Sequence, residues 1–184
     1  MTPWQLRQAV FALRAGGVVA YPTETVFGLG CDPLNAGAVE TILKLKRRPI
    51  EKGLILIGAN LQQLLPYINV KDHALLQKLE QTSDRPTTWI CPARENIPTW
   101  LTGRHSSIAV RITTHPVAKA LCQTLGHAIV STSANLSGLN PARTRLTVWR
   151  YFNQQLDYIL GSKCTAETKP SQIIDLCSGQ VIRE

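Results

Sequence analysis

The chain has 184 residues, with 20 Lys and Arg against 12 Asp and Glu and a formal net charge of +8, and its length suits one domain over residues 1–184. Hydrophobic residues at 44% mixed with 17% charged residues exclude a disordered chain, and the basic excess favours polyanionic partners such as nucleotides or RNA. Five scattered cysteines without a CxxC pair argue against a disulfide framework or a zinc site, and with no signal-like N-terminus and no apolar run near the ~20 residues of a membrane span, a cytoplasmic protein is expected.

Thr2-Pro3-Trp4-Gln5 opens a helix, with Thr2 as cap, Pro3 in the first turn and Gln5 placed to close a capping box. Leu6, Val10 and Leu13 share one face, and Gly16-Gly17 ends the helix before an apolar strand over 18–21 that Pro22 closes. Asn35 is placed to cap a second helix carrying Val39, Ile42 and Leu43, and residues 54–57 read as the next buried strand. Further helices are expected over 61–67, around Leu75, Leu76 and Leu79, and over 117–125 before Gly126. Further strands are expected over 87–91, 108–112 and 128–131, with a terminal hairpin whose arms are 173–176 and 181–182. The alternation predicts an α/β fold in which a mixed sheet is flanked by helices. Residues 161–172 are polar and aperiodic and read as a surface loop or a lid.

Three segments carry chemistry. Tyr21-Pro-Thr-Glu-Thr-Val-Phe-Gly-Leu-Gly30 follows a strand and gathers hydroxyls with glycines. Thr23 and Thr25 can hold a small polar ligand that backbone at Gly28 and Gly30 approaches, or they can satisfy an ordinary turn. Lys44-Leu-Lys-Arg-Arg-Pro-Ile-Glu-Lys52 puts five cations in nine residues at a helix end, which suits either a solvated terminus or a phosphate site with Arg48 as a planar fork. Val130-Ser-Thr-Ser-Ala-Asn-Leu-Ser-Gly138 crowds four hydroxyls and an amide after another strand, where α/β sheets commonly bind ligands. Walker A, GxGxxG and HExxH sequences are absent, as is a DxD-like pair, and the four histidines are scattered singly.

Taken together, YPTETVFGLG, KRRPIEKG and STSANLSG, in this order, resemble the YrdC/TsaC family of threonylcarbamoyl-adenylate synthases in its short bacterial form. The likeness runs from about Gly16 to the C-terminus, and the family's KxR plus SxN signature is matched by Lys46, Arg48, Ser133 and Asn135. The resemblance implies a twisted, open, mixed parallel/antiparallel sheet with a basic concave face. It also implies that L-threonine, bicarbonate and ATP give threonylcarbamoyl-AMP and pyrophosphate, and that partner proteins use this product to modify tRNA. By the same resemblance Lys46, Arg48, Ser133 and Asn135 are catalytic, and Thr25, Arg111, Ser131 and Ser171 hold threonine. Arg48, Lys52, Ser107, Ser133, Asn135 and Arg143 hold ATP, and magnesium rides on the triphosphate with no dedicated protein site. The chain departs from the family pattern at Arg85, where a glycine is usual, at Gln172, beside the retained Ser171, and at 57–59, where longer relatives carry a histidine. The rival reading is a non-catalytic protein that binds tRNA or double-stranded RNA through the same basic face, although aromatics make up only 6% of the chain and none lies in the basic loop.

Overall fold

The computed structural model describes residues 1–81, 85–161, 164 and 171–183. Most of the expected elements form, and for the expected reasons. Helix α1 spans Pro3–Arg14, and its capping box is closed by Gln5 N–H donating to Thr2 Oγ1 at 3.2 Å and Thr2 N–H donating to Gln5 Oε1 at 2.9 Å. Strand β1 (Val19–Pro22) turns into β2 (Phe27–Gly30), and helix α2 (Ala36–Lys46) starts where Asn35 Oδ1 accepts from Ala38 N–H at 3.0 Å. There follow β3 (Ile55–Gly58), α3 (His73–Glu80), β4 (Thr87–Pro92), the short α4 (Thr99–Thr102), β5 (Ser107–Ile112) and α5 (Pro116–Leu125). The last elements are β6 (Ile129–Ser133), α6 (Arg145–Phe152), β7 (Tyr158–Ile159) and the hairpin β8 (Gln172–Asp175) with β9 (Val181–Arg183).

Among the described residues these strands form one sheet in the order β7-β1-β2-β6-β3-β5-β4-β8-β9. It is mixed: β3 runs parallel to β5 and antiparallel to β6, and β4 runs parallel to β8 and antiparallel to β5. Side chains alternate between its faces. On one face Ala20, Leu29, Leu56, Val110 and Val130 bury with α2 and α6. On the other, Val19, Tyr21, Ile57 and Ile129 bury with α1 and α5. Each Val, Leu or Ile among them contributes about 1.5–3 kcal/mol by leaving water.

Two expectations differ from the structure, and helix α6 has no expected counterpart. Residues 61–67 make only a one-turn 3-10 helix, Leu61–Gln63, because Pro66 disfavours helical backbone at Leu65. The segment expected to be a glycine loop is β2, whose four residues are all buried. Gly30 serves packing rather than ligand approach, since a Cβ there would lie 2.6 Å from the Val130 carbonyl and 2.7 Å from the Tyr21 ring. Helix α6 buries Val148 and Phe152 and is started by Thr144, whose hydroxyl accepts from Thr147 N–H at 3.1 Å. The segment expected to be a loop or lid, 161–172, lies mostly outside the described residues.

Candidate active site

The second face of the sheet is only half covered by helices. Where α1 and α5 stop, the same strand positions continue into a cavity of ≈ 720 Å³, a size typical of small-molecule sites. Strand β6 turns from Ile129 in the core to Ser131 and Ser133 on the cavity wall, and β5 presents Ser107, Ala109 and Arg111 while Ile108 and Val110 point into the opposite core. Ile55 of β3 pairs with both Ala109 and Ser131, which brings the two hydroxyl-bearing strands to either side of it.

The basic segment reaches this cavity because its helix stops abruptly. Arg47 takes the left-handed conformation at φ 49°, and Arg48 N–H returns to the Leu43 carbonyl at 2.9 Å, so the chain reverses after Lys46. The five cations then part company. Lys44 stays in solvent with Glu40, 2.7 Å away. Arg48 and Lys52 line the cavity, and the Arg48 guanidinium is braced by Nε and Nη2 donating to the Gly53 carbonyl at 3.2 and 2.9 Å. The 50–53 turn is pressed against α4 at two glycines, Gly53 at φ 59° and Gly103 at φ 66°. A Cβ on Gly103 would strike the Glu51 carbonyl.

Lys46 is buried and does not line the cavity. Its ammonium donates to the Ser133 carbonyl, to the Asn135 carbonyl at 3.0 Å and to Asn135 Oδ1 at 3.0 Å. All three N–H donors of the ammonium are thereby committed to the loop after β6. Burial, then the nearby charge of Arg48, lowers its pKa to about 8. Ser133 Oγ also donates to Asn135 Oδ1 at 2.7 Å, and the Asn135 amide is anchored on the carbonyls of Leu136 and Leu139 at 3.1 and 2.8 Å. The four signature residues therefore form one unit, with Arg48 and Ser133 on the cavity and Lys46 and Asn135 behind it.

Of the other expected residues, Thr25, Arg111, Ser131, Ser171 and Ser107 line the same cavity. Arg143 does not; it is exposed two residues beyond the lining Pro141 and is close enough to Cys164 to favour its thiolate, although burial dominates and keeps that thiol raised. Thr23 lines the cavity, yet its hydroxyl donates to the Val26 carbonyl at 2.7 Å, so at this residue the ordinary-turn reading holds.

The sequence reading missed Glu24, Asp175 and Arg183. Asp175 and Arg183 line the cavity from the terminal hairpin, and Arg183 Nη2 donates to the Ser171 carbonyl at 2.8 Å while Ser171 Oγ lies 3.1 Å from Thr88 Oγ1. The available signal was a lone cation ending an apolar strand. Glu24 is buried at 7% exposure. Burial pushes its carboxyl up, but the Arg111 charge, the Thr113 hydroxyl and backbone N–H donors outweigh that and hold it below the usual carboxylate range. Arg111 Nε is itself buried, with no hydrogen-bond partner among the described residues.

Residues 11–184 match the model of the Sua5/YciO/YrdC family, described as telomere recombination. A threonylcarbamoyl-AMP synthase of Nitrosococcus oceani is 51% identical over 98% of this chain and 97% of its own length, and one of Cellvibrio japonicus is 47% identical over 100% and 99%. Among solved structures, P. abyssi Sua5 complexed with L-threonine superposes with a TM-score of 0.88 at 30% identity over 95% of this chain, which spans 52% of that longer protein. E. coli YciO superposes with a TM-score of 0.84 at 28% identity, over 97% of this chain and 88% of its own.

Proposed function

The chain belongs to the Sua5/YciO/YrdC family, and from that membership and the lining of its cavity we propose that it makes threonylcarbamoyl-AMP and pyrophosphate from L-threonine, bicarbonate and ATP. The observation that carries this reading is the convergence on one cavity of Arg48, Lys52, Ser107 and Ser133 with Thr25, Arg111, Ser131 and Ser171. The first group suits a triphosphate: a braced guanidinium, a point charge and hydroxyl donors. The second suits an amino acid, with Arg111 facing its carboxylate and hydroxyls around its polar side chain.

The threonine nitrogen attacks the carbon of bicarbonate, and loss of water leaves a carbamate. A carbamate oxygen then attacks the α-phosphorus of ATP, the bond to the β-phosphate oxygen breaks, and pyrophosphate leaves with the electron pair. Such a reaction needs alignment and neutralisation of building negative charge more than proton transfer. The cavity fits that need, since Asp175 is the one carboxylate among its described lining residues. Magnesium would be held mainly by the triphosphate and water, because no cluster of metal-ligating side chains occurs among the described residues. It would supply further neutralisation of the phosphates. Lys46 and Asn135 act by shaping the loop that carries Ser133. The adenylate would pass to partner proteins that modify tRNA.

The test is pyrophosphate release by the purified protein with ATP, bicarbonate and magnesium, with and without threonine. Release only when threonine is present is expected. Folded protein that releases no pyrophosphate even with threonine would favour the RNA-binding reading.

A further inference from the structure

Glu24 belongs to the turn between β1 and β2, yet its carboxylate is engaged by the chain that leaves β5, a strand that neighbours neither of them. Its Oε1 accepts from the Thr113 hydroxyl at 2.7 Å, from Thr114 N–H at 3.0 Å and from His115 N–H at 3.1 Å. Those donors belong to the turn that leaves β5. Since β6 and β3 lie between β2 and β5, three strand spacings, about 14 Å, separate the two strands whose ends this side chain ties together. Arg111 sits two residues before Thr113 and projects into the cavity, where Arg183 is close enough for the two charges to repel. The Arg111 end of the cavity thus gathers cations in front of the wall, with Glu24 buried near Arg111.

We infer that Glu24 is a positioning and specificity-determining residue: from behind the cavity wall it neutralises Arg111 and fixes the strand end that carries it, so that this end takes a zwitterionic amino acid in preference to a plain inorganic anion. The inference rests on the proposed function, in which Arg111 receives the amino acid carboxylate. A ligand with no net charge gains little from extra positive potential and depends on the orientation of the guanidinium. A dianion gains directly from such potential. The carboxylate therefore suppresses capture of phosphate-like anions at the amino acid end and leaves the Arg48 and Lys52 end to attract them.

Glu24→Gln removes the charge and weakens the ties that orient Arg111 from charge-assisted to neutral hydrogen bonds, since the amide oxygen can still accept from Thr113, Thr114 and His115. In the folded variant KM for threonine should rise roughly tenfold, the scale of one charge-assisted contact, while KM for ATP stays within about twofold. Sulfate should compete with ATP in both proteins but with threonine only in the variant. Thr113→Val keeps the charge and removes one tie, so KM for threonine should rise without sulfate competition. Unchanged threonine KM in folded Glu24→Gln, or sulfate competing with threonine equally in both proteins, overturns the inference. Should Glu24→Gln fail to fold, an unchanged threonine KM in Thr113→Val overturns it instead. Wild-type protein without threonine-dependent pyrophosphate release would sink the functional reading itself, whereas active wild type with unaltered variants sinks only the role of Glu24.

Discussion

Lys46 lies against two other motif residues, yet its surroundings differ from those its chemistry suggests. A lysine in a basic run suggests a phosphate ligand, but here three oxygens of residues 133 and 135 consume its donors. This has a pH signature. Because the folded value is about 8, the proton leaves as pH rises through that point, the neutral amine can donate only two hydrogen bonds, and the loop bearing Ser133 loosens. ATP affinity should therefore fall as pH rises through about 8, measured by nucleotide binding without threonine, and Lys46→Met should bind ATP more weakly at pH 7 with no such limb. Stability moves the other way. The unfolded chain holds this proton up to its ordinary 10.5, so the cost of burying the charge, fully present below pH 8, fades between 8 and 10.5. A parallel loss of ATP affinity in Lys46→Met at high pH would contradict the assignment. The pairing of Lys46 with Asn135 was legible only as a motif, and Glu24 not at all, because its hydroxyl partner Thr113 lies 89 positions away and no local pattern encodes the contact.

At the level of elements, legibility followed the range of the forces involved. The capping box of α1 and the Asn35 cap of α2 are local hydrogen bonds between residues three apart, so sequence placed both. Strand β2 carries two glycines in four residues, which weakens its local strand signal, and pairing with β1 and β6 overrides that weakness. The turn carrying Lys52 depends on a backbone contact that sequence does not announce, between Glu51 and Gly103. Gly103→Ala places a Cβ against that carbonyl in a left-handed conformation, which should cost about 1–3 kcal/mol. The displaced turn should also weaken ATP binding while threonine binding holds. A melting curve with separate ligand titrations checks this, and equal weakening of both ligands would mean that the turn does not serve the nucleotide end specifically.

Across the whole molecule, alternation of helices and strands was enough to predict a mixed α/β sheet, and the order of three motifs was enough to point to one family. The half-open face was not predictable, because it depends on where α1 and α5 stop covering the strands that continue into the cavity. Nor was the contribution of the terminal hairpin, which closes the far side with Asp175, Ile182 and Arg183. The proposed reaction sets two unlike ligands at opposite ends of this one cavity. Its most direct test is a crystal structure of the protein with L-threonine and a non-hydrolysable ATP analogue. The threonine carboxylate should lie on Arg111 and the triphosphate on Arg48 and Lys52, with the amino nitrogen facing the α-phosphate. A nucleotide bound elsewhere, or threonine seated on Arg48, would contradict the account.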